Sequence, residues 1–217
     1  METQSTSNRT VSPVPVLVAA VAAGAILQSI IVLIVLMITY PGGYRLAEYS
    51  ISMLGSHYSQ ANGARNLIGH DIGLISYLLL GAGTVVVGVR LASLSGRGRT
   101  GRWFATRALL ATIVSSPGPV LGQIFSHDSY HTTHVLVSDI FTPIMILAVL
   151  LFSLAFLVSR CRGQWVAYAG LLVVALVVIY FFIRTTPITQ KVAVGSLLAW
   201  WRRRASATGW RSSISAR

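Results

Sequence analysis

Cysteine and acidic residues are the scarcest chemistry in this chain. Cys161 is its only cysteine, which excludes an intramolecular disulfide and a cysteine-based zinc cluster. Five acidic residues stand against 17 basic ones, and charged residues make up 10% of the 217 positions. A soluble domain carries about 25%. So little charge, with 54% hydrophobic residues and a mean hydropathy of +0.70, favours an integral membrane protein. Lysine is nearly absent as well: Lys191 is the single one, and every other basic residue is arginine. The net charge of +12 does not signal nucleic acid. The arginines sit in short clusters between long apolar runs, not along one solvated face interleaved with aromatics.

A helix needs roughly 20 apolar residues to cross a bilayer core of about 30 Å. Five stretches meet or approach that length: Val16–Thr39, Leu67–Val89, Ala108–Phe125, Val135–Val158 and Trp165–Ile183. The first is too long for a signal-peptide core and lacks a small-residue cleavage site, so it reads as a retained span. A sixth run, Val192–Trp201, is short or truncated, and Trp200 and Trp201 before Arg202–Arg204 read as an aromatic and basic membrane boundary. The expectation is an all-α, polytopic bundle of six spans. Its parts would be a polar tail over 1–15, one transmembrane domain over 16–201 and a basic tail over 202–217.

Counting Lys and Arg on alternate sides sets the orientation. Arg9, the five arginines from Arg90 to Arg107, Arg160, Arg162 and the five after Trp201 fall on one side. Arg45, Arg65, Arg184 and Lys191 fall on the other. The positive-inside rule then places the N-terminus in the cytoplasm, and it favours six crossings over five. The arginine clusters would hold anionic lipids of the inner leaflet. Packing has signals too. Gly69 and Gly73 form a GxxxG step, and Gly81, Gly83 and Gly88 extend it, positions where helix backbones approach closely. Pro117 and Pro119 interrupt the third span near its outer end, and Pro143 interrupts the fourth.

The ionisable groups are distributed unevenly. All five histidines (His57, His70, His127, His131 and His134) fall on the predicted outer side, with Glu48, Asp71, Asp128 and Asp139. Burying a carboxylate in a span costs roughly 2.5–3.5 kcal/mol, so Asp71 and Asp139 are expected to face the bundle interior. Asn62, Asn66, His70, Gly73 and Tyr77 follow helical spacing as an inward polar stripe. His127, His131, His134 and Ser138 make a second stripe if their helix starts near Ser126, which suits an N-cap. In the first outer loop, Leu46, Tyr49, Met53 and Leu54 predict a short amphipathic helix ending on Gly55 as C-cap. The three segments are expected to converge on one polar cavity.

The stretch "YPGGY…YSISMLG", with its Ser52-Met53-Leu54-Gly55 core, resembles the "domain of unknown function 998" family of prokaryotic multi-pass membrane proteins. The following Asn-rich helix start, the inner loop "SGRGRTGR" and His134 opening a helix add to the likeness, which covers roughly residues 17–201. The resemblance implies a six-span bundle and supplies no mechanism. It departs after Trp201, where arginines replace apolar sequence.

Two functional readings follow. In the first, the protein is a metal-dependent hydrolase acting on a lipid or lipid-linked substrate. Zinc catalysis needs about three N or O ligands and an open water position, which His57, His70, His127, His131 and His134 could supply. Asp71, Asp128 or Asp139 would orient a ligand or act as base, and Ser52 would steady an oxyanion or water. The spacing resembles the Ser, Asp and His constellation of alkaline-ceramidase-type hydrolases, in a different order. In the second, the cluster is structural, in a small transporter, proton-linked component or headgroup-binding protein.

Overall fold

The computed structural model describes residues 14–95, 98–159, 164–182 and 186–214. The expectations resting on Glu2, Arg9, Arg97, Arg160, Cys161, Arg162, Ile183, Arg184 and Arg217 lie outside the described residues. The regular structure of the described chain is helical, in seven α-helices: α1 (Val14–Thr39), α2 (Leu67–Ser95), α3 (Gly98–Ser115), α4 (Gly118–Ile124), α5 (His131–Val158), α6 (Trp165–Phe182) and α7 (Pro187–Ile214). The stretches 20–39 of α1, 67–95 of α2 and 131–158 of α5 are long and apolar enough to cross a membrane.

Successive helices close a ring. α1 packs on α2, α2 on α3, α3 on α5, α5 on α6, α6 on α7, and α7 returns to α1. Small residues permit the tight contacts. A Cβ on Gly83 would lie 2.5 Å from Ala25 of α1, and one on Gly81 would lie 2.7 Å from the Ser116 carbonyl. The glycines of α2 therefore receive a neighbour on each side. Ile26, Leu91, Val149 and Phe152 fill the centre. Ile38, Ile75, Leu110, Leu136 and Leu172 point outward. Soluble monomers rarely expose contiguous apolar surface on this scale, and a lipid-facing girdle accounts for it.

Three expectations change at this level. The stretch Ala108–Phe125 is broken, because Pro117 and Pro119 divide it into α3 and α4. Proline is harmless in a first helical turn, where its missing N–H has no intrahelical partner to lose, and Pro119 sits there in α4. Trp200 and Trp201 face the bundle interior and not outward. Both are buried; Trp200 Nε1 donates to the Val166 carbonyl at 3.2 Å, and Trp201 packs edge-on to Phe152. Nor does α7 stop at the arginines, since its backbone stays helical through Ile214.

The loop joining α1 to α2 is built on aromatics. Tyr40, Tyr44 and Tyr49 pack with ring centroids 5.6–5.9 Å apart. Gly42 and Gly43 supply the positive φ angles of 80° and 85° that the chain reversal after Tyr40 requires. The expected amphipathic α-helix is instead a single 3₁₀ segment, Ile51–Gly55. Tyr49, Ile51 and Leu54 are buried, whereas Leu46 is exposed.

Candidate functional site: a polar chamber at the histidine-bearing end

The end of α1, the starts of α2, α5 and α7, and the short α4 all meet the 3₁₀ segment or its neighbours. Two buried amides fix this junction. Asn66, 4% exposed, caps α2 by accepting from Gly69 N–H at 3.2 Å. Its amide donates back to the carbonyls of Leu54 and Ser56 at 2.9 and 3.1 Å. Gln123 of α4, equally buried, donates to the carbonyls of Gly55 and His70 at 2.9 and 3.0 Å. One amide therefore ties the first loop, α2 and α4 together. Gly55 is required for that contact and not as a left-handed C-cap, because a Cβ there would lie 1.9 Å from Gln123 Oε1.

The histidines follow the same logic. His134 Nδ1 lies 2.9 Å from the Gly122 carbonyl and 3.0 Å from the Phe125 carbonyl. Both partners only accept, so Nδ1 carries a proton, and in the neutral ring the lone pair is on Nε2. His70 Nδ1 lies 3.2 Å from the Gly55 carbonyl. The two amide hydrogens of Gln123 are already committed to carbonyls, so His70 Nδ1 is also the donor. His57 stacks on His70 with centroids 3.9 Å apart.

The stretch 126–130 is a turn, with Ser129 and Tyr130 N–H groups bonded to the Ser126 carbonyl. Ser126 is consequently not an N-cap, and α5 begins at His131. His127 lies in the turn yet still meets His131 and His134 edge-on, at 4.5 and 5.7 Å. Burial, reinforced by His131 and His134 and opposed by Asp128, lowers the pKa of His127. The carboxylate of Asp128 accepts from Tyr58 N–H at 2.8 Å, joining this turn to the first loop. Burial works against its charged form. The neighbouring Ser126 hydroxyl, the Tyr58 amide, its own amide and His57 outweigh burial and hold it below the usual range. Ser126 Oγ lies beside the carboxylate without an aligned hydrogen bond.

Around His134 two adjoining spaces open. One, of about 460 Å³, lies among α5, α6 and α7, with Ser52, His127, His134, Ser138, Asp139 and Gln190 among its walls. A smaller chamber of about 210 Å³ lies beneath the 3₁₀ segment and shares Ser52, His134, Ser138 and Gln190 with it. Ser52 is hydrogen-bonded to Ser50 at 2.8 Å, and Gln190 accepts from Ile51 N–H at 2.7 Å. Pro143 offers no N–H to the Asp139 carbonyl four residues earlier, which leaves that carbonyl outside the helical ladder.

The three segments therefore meet, but not as one nine-residue cluster. Ser52, His127, His134 and Asp139 share the larger space. His57 and His70 form a separate stacked pair, His131 is exposed at the start of α5, and Asp128 is a tie between loops. Asp71 and Asp139 are both exposed on their helices, contrary to the interior-facing expectation. Asp71 sits one residue past His70, which turns it off the inward face, and Asp139 only borders the space. Glu48 pairs with Arg45 at 2.8 Å on the surface. Among the described residues, no three His, Cys, Asp or Glu side chains are placed to hold a metal ion. The residues that sequence reading missed are Gln123 and Gln190. A lone amide in an apolar helix such as "GPVLGQI" is the signal, since a buried amide needs partners.

No family model, curated protein or solved structure matches this chain.

Proposed function

We propose that this chain is a multi-pass protein of the cell membrane that takes the polar headgroup of a lipid or lipid-linked molecule into the chamber around His134. Six crossings are proposed: α1, α2, the α3–α4 pair, α5, α6 and α7, with the N-terminus cytoplasmic. The arginine distribution, the girdle of exposed apolar side chains and the resemblance to the "domain of unknown function 998" family support that topology. Exposed Arg99, Arg102 and Arg107 would meet anionic lipids of the inner leaflet. Arg107 lies 3.8 Å over the Trp103 ring, a cation–π contact suited to an interfacial position.

The observation that carries the binding reading is the space of about 460 Å³ lined by hydroxyls, an amide and two imidazoles in an otherwise apolar bundle. Its size lies within the roughly 300–1,000 Å³ of small-molecule sites. To test it, purified protein would be incubated with a total lipid extract and the retained lipids identified by mass spectrometry. Wild type should enrich one headgroup class, and Ser138→Leu should lose it. A retained profile matching the bulk extract in both proteins would defeat the reading.

A second reading, hydrolysis of that bound lipid, draws on the fixed tautomer of His134. Nε2 would accept a proton from a water that attacks the scissile carbon or phosphorus, and would return it to the leaving oxygen. Ser52 engages Ser50 and no histidine, so water and not serine is the proposed nucleophile. Among the described residues the zinc-centred mechanism has no three-ligand group to stand on, and it forms no part of the proposal. Headgroup release by wild type in ¹⁸O-water, with label in one product, is expected; equal release by His134→Asn would sink the hydrolytic reading.

A further inference from the structure

On the neighbouring face of α7 runs a groove of about 750 Å³ between α1 and α7, with Lys191 and Arg202 at its two ends and aliphatic side chains between them. Ile30, Leu33 and Met37 form one wall, Val194 and Leu198 the other. Leu46 and Ile51 of the first loop line its upper end, where Lys191 holds the loop by donating to the carbonyls of Leu46, Tyr49 and Pro187. From Lys191 to Arg202, both lining residues, the groove follows α7 for about 16 Å at a rise of about 1.5 Å per residue. That is close to one leaflet, half of a hydrocarbon core of about 30 Å.

The groove and the polar spaces share walls. Val194 lines all three, and Ile51 lines both the groove and the small chamber under the 3₁₀ segment. The Ile51–Gln190 hydrogen bond stands between the polar and apolar sides. Among the described residues, the larger polar space has no Arg or Lys in its walls, and Asp139 is its single acid. Hydroxyls and amides there can satisfy a neutral, hydroxyl-rich group, while a phosphate would meet a carboxylate and no cation.

We infer that the α1–α7 groove seats one acyl chain of a lipid whose neutral, hydroxyl-rich headgroup occupies the chamber at His134, the two halves passing beneath the 3₁₀ segment. The inference rests on the binding reading above and names its ligand as a glycolipid-like molecule. Gly195 gives a direct handle. It lines the groove, and a Cβ placed there would meet nothing within 4 Å, so a side chain introduced there starts in open space and projects into the groove.

The test uses full-length protein in nanodiscs containing monoglucosyl diacylglycerol with a diazirine in one acyl chain, irradiated and mapped by peptide mass spectrometry. Label is expected on Leu33, Met37, Val194 or Leu198. It should fall about tenfold in Gly195→Trp and Gly195→Leu as the chain's packing contacts are lost. Label on bilayer-facing Leu172 should not change, and Gly195→Ala should behave as wild type. Ser138→Leu, which blocks the headgroup side, should also remove groove label. Groove labelling no denser than at Leu172, or undiminished in both bulky Gly195 variants, overturns the inference. So does groove label lost in the Gly195 variants but untouched by Ser138→Leu, since the groove would then hold bilayer lipid unconnected to the chamber. A phosphatidic acid probe with the same chain that labels as strongly as the glycolipid overturns the headgroup assignment. Headgroup retention lost in Ser138→Leu but kept in Gly195→Trp leaves the binding reading standing and removes only the groove.

Discussion

Gln123 concentrates the energetics of the site in one side chain, and Gln123→Leu probes it cleanly. Leucine fills a similar volume but donates nothing, so the carbonyls of Gly55 and His70 lose the partners now at 2.9 and 3.0 Å. Gly55 keeps His70 Nδ1–H at 3.2 Å, and the His70 carbonyl lies within α2, so two buried hydrogen bonds are lost and no acceptor is orphaned. Each such bond contributes about 1 kcal/mol net, a loss of about 2 kcal/mol. For a chain of this size each kcal/mol moves the melting temperature by about 2–4 °C, giving a fall of about 4–8 °C. Gln123→Glu should be at least as damaging, because a carboxylate would face two carbonyls with lone pairs only. The assay is thermal unfolding in detergent, read by the tertiary signal of the buried Trp200 and Trp201. Gly55→Ala should destabilise by collision with Gln123, and pairing it with Gln123→Ala should recover part of the loss, a non-additivity expected of groups in contact. A Gln123→Leu protein melting within about 2 °C of wild type, less than one kcal/mol at this size, would refute the account.

Other consequences follow from the same contacts. Asn66→Ala removes an N-cap worth about 1 kcal/mol and two further buried bonds, so amide exchange at residues 67–70 should accelerate well before global unfolding. His127 has a folded pKa below its ordinary 6.5; the unfolded chain therefore binds more protons, and stability should be full above that value and fall as pH drops below it. His127→Gln should flatten the melting-temperature profile between about pH 7.5 and 5.5, and an unchanged slope would contradict the assignment. Trp200→Phe should cost about 1 kcal/mol for the lost bond to Val166, whereas Trp201→Ala, 1% exposed, should cost about 3–5 kcal/mol.

Helix positions were readable from sequence because hydropathy acts over whole windows, and 20 apolar residues leave few alternatives to a long helix. The break at Pro117 was legible as an interruption; that it creates a separate helix α4, carrying Gln123 inward, was not. The first loop misled because Leu46, Tyr49, Met53 and Leu54 fit helical spacing, while three tyrosines and the Asn66 and Gln123 amides dictate a tighter 3₁₀ path. Asp71 and Asp139 misled for a related reason. The cost of burying a carboxylate argues for an inward partner only where the residue lies deep, and near a helix start exposure serves as well. What periodicity could not supply was the partner of each polar atom, since those partners are backbone carbonyls at segment ends, set by tertiary contact.

That last point separates two roles that His134 combines. α4 ends at Ile124, so its final carbonyls lack intrahelical donors, and His134 Nδ1–H serves Gly122 and Phe125. Capping alone would account for the residue, and capping also leaves Nε2 free beside the chamber. Asparagine distinguishes them, because its Nδ2 occupies nearly the place of the imidazole Nδ1 and has no counterpart of Nε2. His134→Ala should lose about 1–2 kcal/mol of stability together with any turnover of bound lipid. His134→Asn should melt close to wild type, keep the lipid, and lose turnover. If His134→Asn is as unstable as His134→Ala, the two carbonyls are not what holds the ring. If it turns lipid over at the wild-type rate, Nε2 is idle and His134 is a cap and nothing more.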